Sequence, residues 1–450
     1  MIDLVLENAN LITMNANNDI LLKKDIFINH GEIISIKDTT NKKKKTECRL
    51  RIDVTNKYLL PGFVNTHTHI FQTLLRGIGA DLNVWDWFKI ALDDHVSNLT
   101  REHCYISAKL GAMEAIRSGT TTILDYNYPH PSKFLVDECF EAFNSVGIRS
   151  IIARAIIDQG KAHPKIINNT EEEINDCVRL LEKYHKNDND SQYVWLAPYT
   201  IFSTSLKAYK RIVKLAEEFE TFLTIHAATP STIDECLTLY GMKDIEFQHS
   251  QNFLSKNVLA AHCTTDIDEK VLAILKECDV KISHNPASNC YLGEGIAPIK
   301  EMLENGLTVG LGTDGPASNN NHDMIFILKL TALLQKVKYL KPEAISAEKV
   351  LRLATIEGAK CVGLEKIIGS IELGKKADIS IFDLHSLNTS KLHDPIKSIV
   401  YSANQENISD VIINGEFILK DRKFVNQNEK DVIETAELLG EDLINKSKVI

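Results

Sequence analysis

The chain has 450 residues, 44% of them apolar and 25% charged, and its 51 Lys and Arg against 61 Asp and Glu leave a net charge of −10. That acidic balance argues against nucleic acid or an anionic membrane surface as the main partner. No apolar run reaches the ~18 residues of a membrane helix. Met1-Ile2-Asp3-Leu4 carries no basic segment ahead of an apolar core, and the nine cysteines lack any Cys-x-x-Cys; a cytoplasmic protein without disulfides is expected.

Residues 1–58 read as short strands. Leu4-Val5-Leu6, Leu11-Ile12-Thr13 and Asp25 to Asn29 are separated by Asn-rich turns, and His30-Gly31 breaks into Glu32 to Ile36. Lys42 to Lys45 form a basic run that reads as a solvated turn.

From Leu59 the rhythm changes. Eight strands are expected at Leu60 to Thr66, Thr121 to Asp125, Ile148 to Arg154, Tyr193 to Ala197, Phe222 to His226, Asn257 to His262, Val280 to His284 and Leu307 to Thr313. Amphipathic stretches lie between them, such as Cys104 to Ser118, stopped by Gly119, and Leu206 to Phe219. Strand–helix alternation implies parallel βα units, and eight of them imply an α/β fold built on a (β/α)8 TIM barrel over 59–365. A helix is expected from an N-cap at Ser346 through Ala359. Strands then return at Asp378 to Phe382, Ser398 to Tyr401, Val411 to Ile413 and Phe417 to Leu419, with a short tail helix after Glu429. Strands at both ends imply a small β-sandwich domain composed of 1–58 and 366–450.

In such a barrel chemistry sits at the carboxyl ends of the strands. His67-Thr68-His69 closes strand one, and alternate residues of an extended chain face the same way, so both imidazoles can meet one ion. His226 closes strand five, His262 strand six, and Asp314 follows strand eight. One such histidine is unremarkable; the set points to a divalent metal.

Pro61-Gly62-Phe63-Val64-Asn65-Thr66-His67-Thr68-His69 resembles the first-strand signature of the amidohydrolase superfamily. Ser283-His284-Asn285-Pro286-Ala287-Ser288-Asn289 and Gly310 to Asn320 are similar to its aminohydrolase and chlorohydrolase branch, which includes S-adenosylhomocysteine/methylthioadenosine deaminases and triazine hydrolases. Gly369 to Asp378 resembles the segment that returns into its β domain. The resemblance implies that His67, His69, His226 and Asp314 bind one Zn2+ or Fe2+, which lowers the pKa of bound water toward ~7. It implies further that Asp314 accepts the water's proton, that His262 stabilises the tetrahedral intermediate, and that His284 lines the pocket. The expected reaction removes an amino or halogen substituent from a heteroaromatic ring. Members of the family are often homo-oligomers, so self-assembly is an open expectation.

Two segments depart from the pattern. Deaminases of this branch carry a Glu three residues after the strand-five histidine, where it protonates a ring nitrogen; here the segment is His226-Ala227-Ala228-Thr229-Pro230. Thr is no acid near neutral pH, and general acid help contributes about 10²–10⁴-fold. Three explanations stay open: a leaving group that needs no ring protonation, another proton donor such as His284 or water, or a catalytically impaired metal- or ligand-binding protein. Asp234 and Glu235 are expected to face solvent. The ribose-binding Glu of nucleoside-type members is matched by Val96, within Leu92-Asp93-Asp94-His95-Val96, and a fourth-loop His by Tyr199. Arg154 matches a strand-three arginine. Trp85, Trp87 and Phe88 are candidates for an apolar wall, and Trp87, Val96, Arg154, Tyr199 and Asn289 for substrate contacts. These changes favour a compact N-heterocycle over an adenosine derivative, whose deaminase is the alternative.

Three other spellings carry less. Gly310-x-Gly312-x-x-Gly315 lacks the acidic partner of a dinucleotide site. His30-Gly31-Glu32 lacks the paired cysteines of a cytidine-deaminase zinc site. Cys263, next to His262 on a strand, points away from the site into core.

Overall fold

The structure, a computed structural model, describes residues 1–39, 47–186, 190–390 and 393–447; the Lys42 to Lys45 run lies outside them. Eight parallel strands close into a barrel: Phe63–Thr68, Thr120–Asn127, Arg149–Ile156, Gln192–Pro198, Leu223–Ala227, Val258–His262, Lys281–His284 and Val309–Leu311. Each expected barrel strand is present, with its ends displaced by at most three residues. Helices follow most strands. Arg101–Arg117 starts at a Thr100 cap, whose hydroxyl accepts from the His103 N–H, and stops at Gly119.

The barrel closes unevenly. The seam between the eighth strand and the first has one backbone register pair, Leu311 with Asn65. Side chains complete it. Asn65 Nδ2 donates to Thr313 Oγ1 at 2.8 Å, the Thr313 N–H returns to Asn65 Oδ1 at 3.1 Å, and Thr66 and Ser283 hydroxyls meet at 2.6 Å. All are buried, where an unmade bond would cost about 1–3 kcal/mol.

The two termini build one mixed nine-stranded sheet beneath the barrel. Leu4-Val5-Leu6 and Leu11-Ile12 belong to a single irregular strand, Ile2–Ile12, paired with Ile20–Asn29 on one side and with Cys48–Asp53 and Tyr58–Pro61 on the other. Tyr58–Pro61 meets Ile379–Phe382 antiparallel, which joins the N-terminal strands to Ile408–Ile413 and Glu416–Lys420. Alternation sorts the faces: Ile379 and Ile381 enter the sheet's own apolar core with Leu4, Leu6 and Ile28. Phe382 packs edge-on against Phe63 of the barrel, and Ser380 Oγ donates to the Gly119 carbonyl at 2.6 Å.

Four expectations change. The run Leu60 to Thr66 is two strands, because the chain passes from sheet to barrel at Gly62. A Cβ there would lie 2.1 Å from the Thr121 side chain, so residues 59–61 belong to the sheet. Ser398 to Tyr401 is helical, within Pro395–Tyr401. Asp394 caps it, Pro395 opens it, and Ile396, Ile399 and Val400 form a helical stripe. The helix from Ser346 breaks at Thr355 into Ala347–Leu353 and Ile356–Cys361, since the Ala354 carbonyl accepts from Val64 of the barrel. The tail helix, Glu429–Ser447, has 19 residues and rests on the barrel helix Arg101–Arg117 rather than on the sheet. Arg117 pairs with Glu429, and His103 Nε2 lies 3.2 Å from Asp442.

Candidate metal centre and its cavity

The carboxyl ends of strands one, five, six and eight bring His67, His69, His226, His262 and Asp314 together. Asp314 Oδ1 lies 3.3 Å from His69 Nε2 and 3.5 Å from His67 Nε2, and its Oδ2 lies 4.0 Å from His262 Nε2. His69 Nε2 and His226 Nε2 are 3.3 Å apart. The backbone is bent for this: His262 and Asp314 adopt φ of 78° and 59°, left-handed values that non-glycine residues hold only where surroundings enforce them. Gly315 permits the approach of Asp314 to strand one, because a Cβ there would sit 2.0 Å from Gln72 Oε1 and 3.0 Å from His69 Cβ.

Tautomers follow from hydrogen bonds. His69 Nδ1 donates to the Tyr126 carbonyl at 2.6 Å, and His226 Nδ1 to the Tyr199 carbonyl at 3.2 Å. A carbonyl only accepts, so each ring keeps its proton on Nδ1 and turns a bare Nε2 lone pair inward. Burial holds His69 down to about 3 and His226 well below the usual imidazole range, so neither ring takes a second proton. The 3.3 Å contact between two lone pairs is therefore no hydrogen bond. It is a repulsive pair that a cation relieves. Burial would raise the Asp314 carboxyl, but its contact with His67 holds it well below the usual carboxylate range. His67 is fully buried and neither ring nitrogen makes a hydrogen bond.

Donors tetrahedrally placed around one ion at ~2.0–2.1 Å stand about 3.3–3.4 Å apart. The separations His69–His226 at 3.3 Å, His69–Asp314 at 3.3 Å and His67–Asp314 at 3.5 Å match that spacing, and the sets His67/His69/His226 and His67/His262/Asp314 each hold donor atoms within 4.8 Å of one another. Three imidazoles and one carboxylate thus suit a divalent ion.

A cavity of about 680 Å³ opens onto the centre, lined by His69, His226, His262 and Asp314 at its floor. Of the residues expected to contact substrate, it takes in Trp87, Tyr199 and Asn289, with Trp85 and Phe88 in the wall. Trp87 is fixed by Nε1 donating to the Ala317 carbonyl at 2.9 Å, and Tyr199 stacks on Tyr128 with ring centroids 4.3 Å apart. Asn289 Oδ1 accepts from His262 Nδ1 at 2.8 Å.

Three expected residues stand elsewhere. Val96 is packed in the core, away from the cavity. Arg154 points outward to the helix Thr170–Tyr184, where it binds Glu173 at 2.8 and 3.0 Å and Asp176 at 3.1 Å; it holds strand to helix. His284 is buried behind His262, kept neutral with burial lowering it to about 3, and does not line the cavity. Cys263 is fully buried in core, as expected.

The structure adds residues the sequence did not single out: Gln72, Tyr128, Thr200, Phe202 and Glu294. Glu294 had one visible mark, a lone carboxylate between Gly293 and Gly295. Thr229 caps the helix Pro230–Tyr240, its hydroxyl accepting from the Thr232 N–H at 3.3 Å. Asp234 is exposed, and Glu235 pairs with Lys161.

A closed parallel barrel with an imidazole–carboxylate cluster at the carboxyl end of its strands defines a barrel hydrolase with a cation centre. The amidohydrolase family profile matches residues 58–418, and the chain belongs to that family. It is 36% identical over 446 residues to a 5'-deoxyadenosine deaminase of Methanobrevibacter smithii, covering 96% of this chain and all of that one. It is 33% identical over 445 residues to a 5-methylthioadenosine/S-adenosylhomocysteine deaminase of Thermoanaerobacter pseudethanolicus, covering 99% and 100%. In fold it matches an adenosine deaminase from Xanthomonas campestris with bound zinc, at TM-score 0.91, 24% identity and 99% of both chains. It also matches an atrazine chlorohydrolase from Arthrobacter aurescens complexed with zinc, at TM-score 0.92, 23% identity, 97% of this chain and all of that one. No helix among the described residues is long and apolar enough to cross a membrane.

Proposed function

We propose that this hydrolase removes the exocyclic amino group of an adenine-type ring, with an adenosine derivative as substrate. The observation that carries this reading is the full-length 36% identity to a deaminase of 5'-deoxyadenosine, joined to a cavity with aromatic walls above the metal centre. The relatives shift the preference from a compact free heterocycle toward a nucleoside. Trp87, Phe88, Phe202 and Tyr128 supply apolar faces suited to a planar base. Val96 leaves the ribose without the expected carboxylate.

His67, His69, His226 and Asp314 would hold one divalent ion, for which we propose Zn2+, with Fe2+ suited to the same donors. Such an ion supplies Lewis acidity and, with it, a nucleophilic water at neutral pH. Asp314, kept ionised, takes a proton from the attacking water. His262, turned by Asn289 so that its Nε2 lone pair faces Asp314, accepts from an O–H of the attacking water and so orients it. The Tyr126 and Tyr199 carbonyls hold His69 and His226 in the ligating tautomer. The nine cysteines are all unpaired, which supports a reducing, cytoplasmic setting.

The test is ammonia release by metal-loaded protein of measured metal content, offered adenosine derivatives, purine bases, pyrimidines and triazines. Release from adenosine derivatives supports the reading. Release from free bases or triazines alone overturns the nucleoside assignment, and halide release without ammonia overturns deamination.

A further inference from the structure

Thr229 leaves the expected proton donor missing, yet the cavity contains a second carboxylate. Among the described residues that line it, the carboxylates are Asp314 and Glu294. Glu294 arrives from the far side, in the turn after the helix Pro286–Tyr291 that follows the seventh strand. Its backbone is pinned: its N–H donates to the Asn289 carbonyl at 2.8 Å, and its carbonyl accepts from Thr264 Oγ1 at 2.6 Å. Gly293 and Gly295, at φ of 67° and 96°, make the tight turn that aims it inward.

The carboxylate ends at the start of the helix Pro230–Tyr240. Oε2 accepts from Ser231 Oγ at 3.4 Å, and the group interacts with the Thr229 hydroxyl and the Ser231 N–H. Glu294 thus brings a carboxyl, from another part of the chain, to the first turn of the helix that Thr229 caps, within the same cavity wall. Burial raises its pKa, which favours the protonated form an acid needs.

We propose that Glu294 is the catalytic acid of this enzyme, donating a proton to the ring nitrogen of the substrate in place of the carboxyl absent at Thr229. This role rests on the deaminase reading above. As water oxygen bonds to the ring carbon, one water proton passes to Asp314. The ring C=N electron pair moves to nitrogen, which takes the Glu294 proton. The exocyclic amine then takes the proton from Asp314, its C–N bond breaks and ammonia leaves. The remaining hydroxyl proton returns to Glu294 as the carbonyl forms. Ser231 and Thr229 act as positioning residues for the carboxyl.

The experiment uses a substrate that the metal-loaded wild type deaminates. Glu294→Gln is expected to lower kcat by about 10²–10⁴-fold, with KM within a few-fold and metal content unchanged. The relocated pair Thr229→Glu/Glu294→Ser is expected to regain at least tenfold over Glu294→Gln. A Glu294→Gln protein within threefold of wild-type kcat overturns the role, as does a loss that tracks metal content or melting temperature. A loss that the folded, metal-loaded relocation variant leaves unrelieved also overturns it. A wild type silent on every amino-substituted ring overturns the deaminase reading, and the acid role with it; an active wild type indifferent to Glu294→Gln overturns the acid role alone.

Discussion

His262 Nδ1 and Asn289 Oδ1 stand 2.8 Å apart, and that short bond turns the Nε2 of His262 toward Asp314. Asn289 comes from the helix Pro286–Tyr291 after strand seven and lines the cavity beside His262. Asn289→Ala lets the ring rotate and take either tautomer. We expect kcat to fall about 10–100-fold with metal content unchanged, read from steady-state kinetics and elemental analysis of one preparation.

The lone-pair contact between His69 and His226 makes the metal structural as well as chemical. His69→Ala or His226→Ala should reduce bound metal below one-tenth per chain. Chelation of the wild type should lower its melting temperature, because an ion at a hundred times its Kd stabilises the fold by about 2.7 kcal/mol. Equal melting with and without chelator, at full metal removal, would contradict the assignment.

Arg149 and Asp378 join the underside of barrel strand three to the terminal sheet. The pair is buried, with Nε–Oδ2 at 3.1 Å and Nη2–Oδ1 at 3.2 Å, and Asn414 adds a bond at 2.7 Å. Removing one partner strands a buried charge, so Arg149→Met should cost about 3–5 kcal/mol in urea unfolding. Arg149→Met/Asp378→Leu should recover much of it. Activity per folded, metal-loaded molecule should be unchanged in both.

His322 gives a pH prediction. It is fully buried beside Thr73, and burial, then the Arg76 charge, lower it to about 3. The folded ring stays neutral while the unfolded ring protonates near 6.5, so the unfolded state binds more protons between these values. Stability is therefore complete above 6.5 and is lost as pH falls toward 3, at up to ~1.4 kcal/mol per pH unit for this ring. Unfolding free energies of His322→Leu should show a shallower fall across that window.

How much was legible depends on whether the decisive neighbours were local. His67 and His69 announce a shared face by spacing alone, and the strand-end pattern led to His226, His262 and Asp314. Arg154 shows the limit. A buried arginine at a strand end reads alike whether it faces the barrel interior or the outer helices, and only the contact with Glu173 and Asp176 decides. Ser398 to Tyr401 looked like a strand because its apolar residues are β-branched, yet the cap at Asp394 and the helical spacing of Ile396, Ile399 and Val400 outweighed that preference. Glu294, marked only by its flanking glycines, gave no hint of its partner Ser231, which is 63 residues away along the chain. No local pattern records that two loops converge.

The Asn65–Thr313 clamp, whose partners are 248 residues apart, has a consequence in time. At ~5–20 residues per second, His67 and His69 leave the ribosome about 12–50 s before Asp314, the carboxylate proposed to share an ion with them. Over that interval the first strand has no eighth strand to close against, and its two imidazoles are half of a cradle. The proposed metal centre therefore waits for the eighth strand, and a nascent chain halted short of Asp314 offers an ion histidines without the charge that would neutralise it.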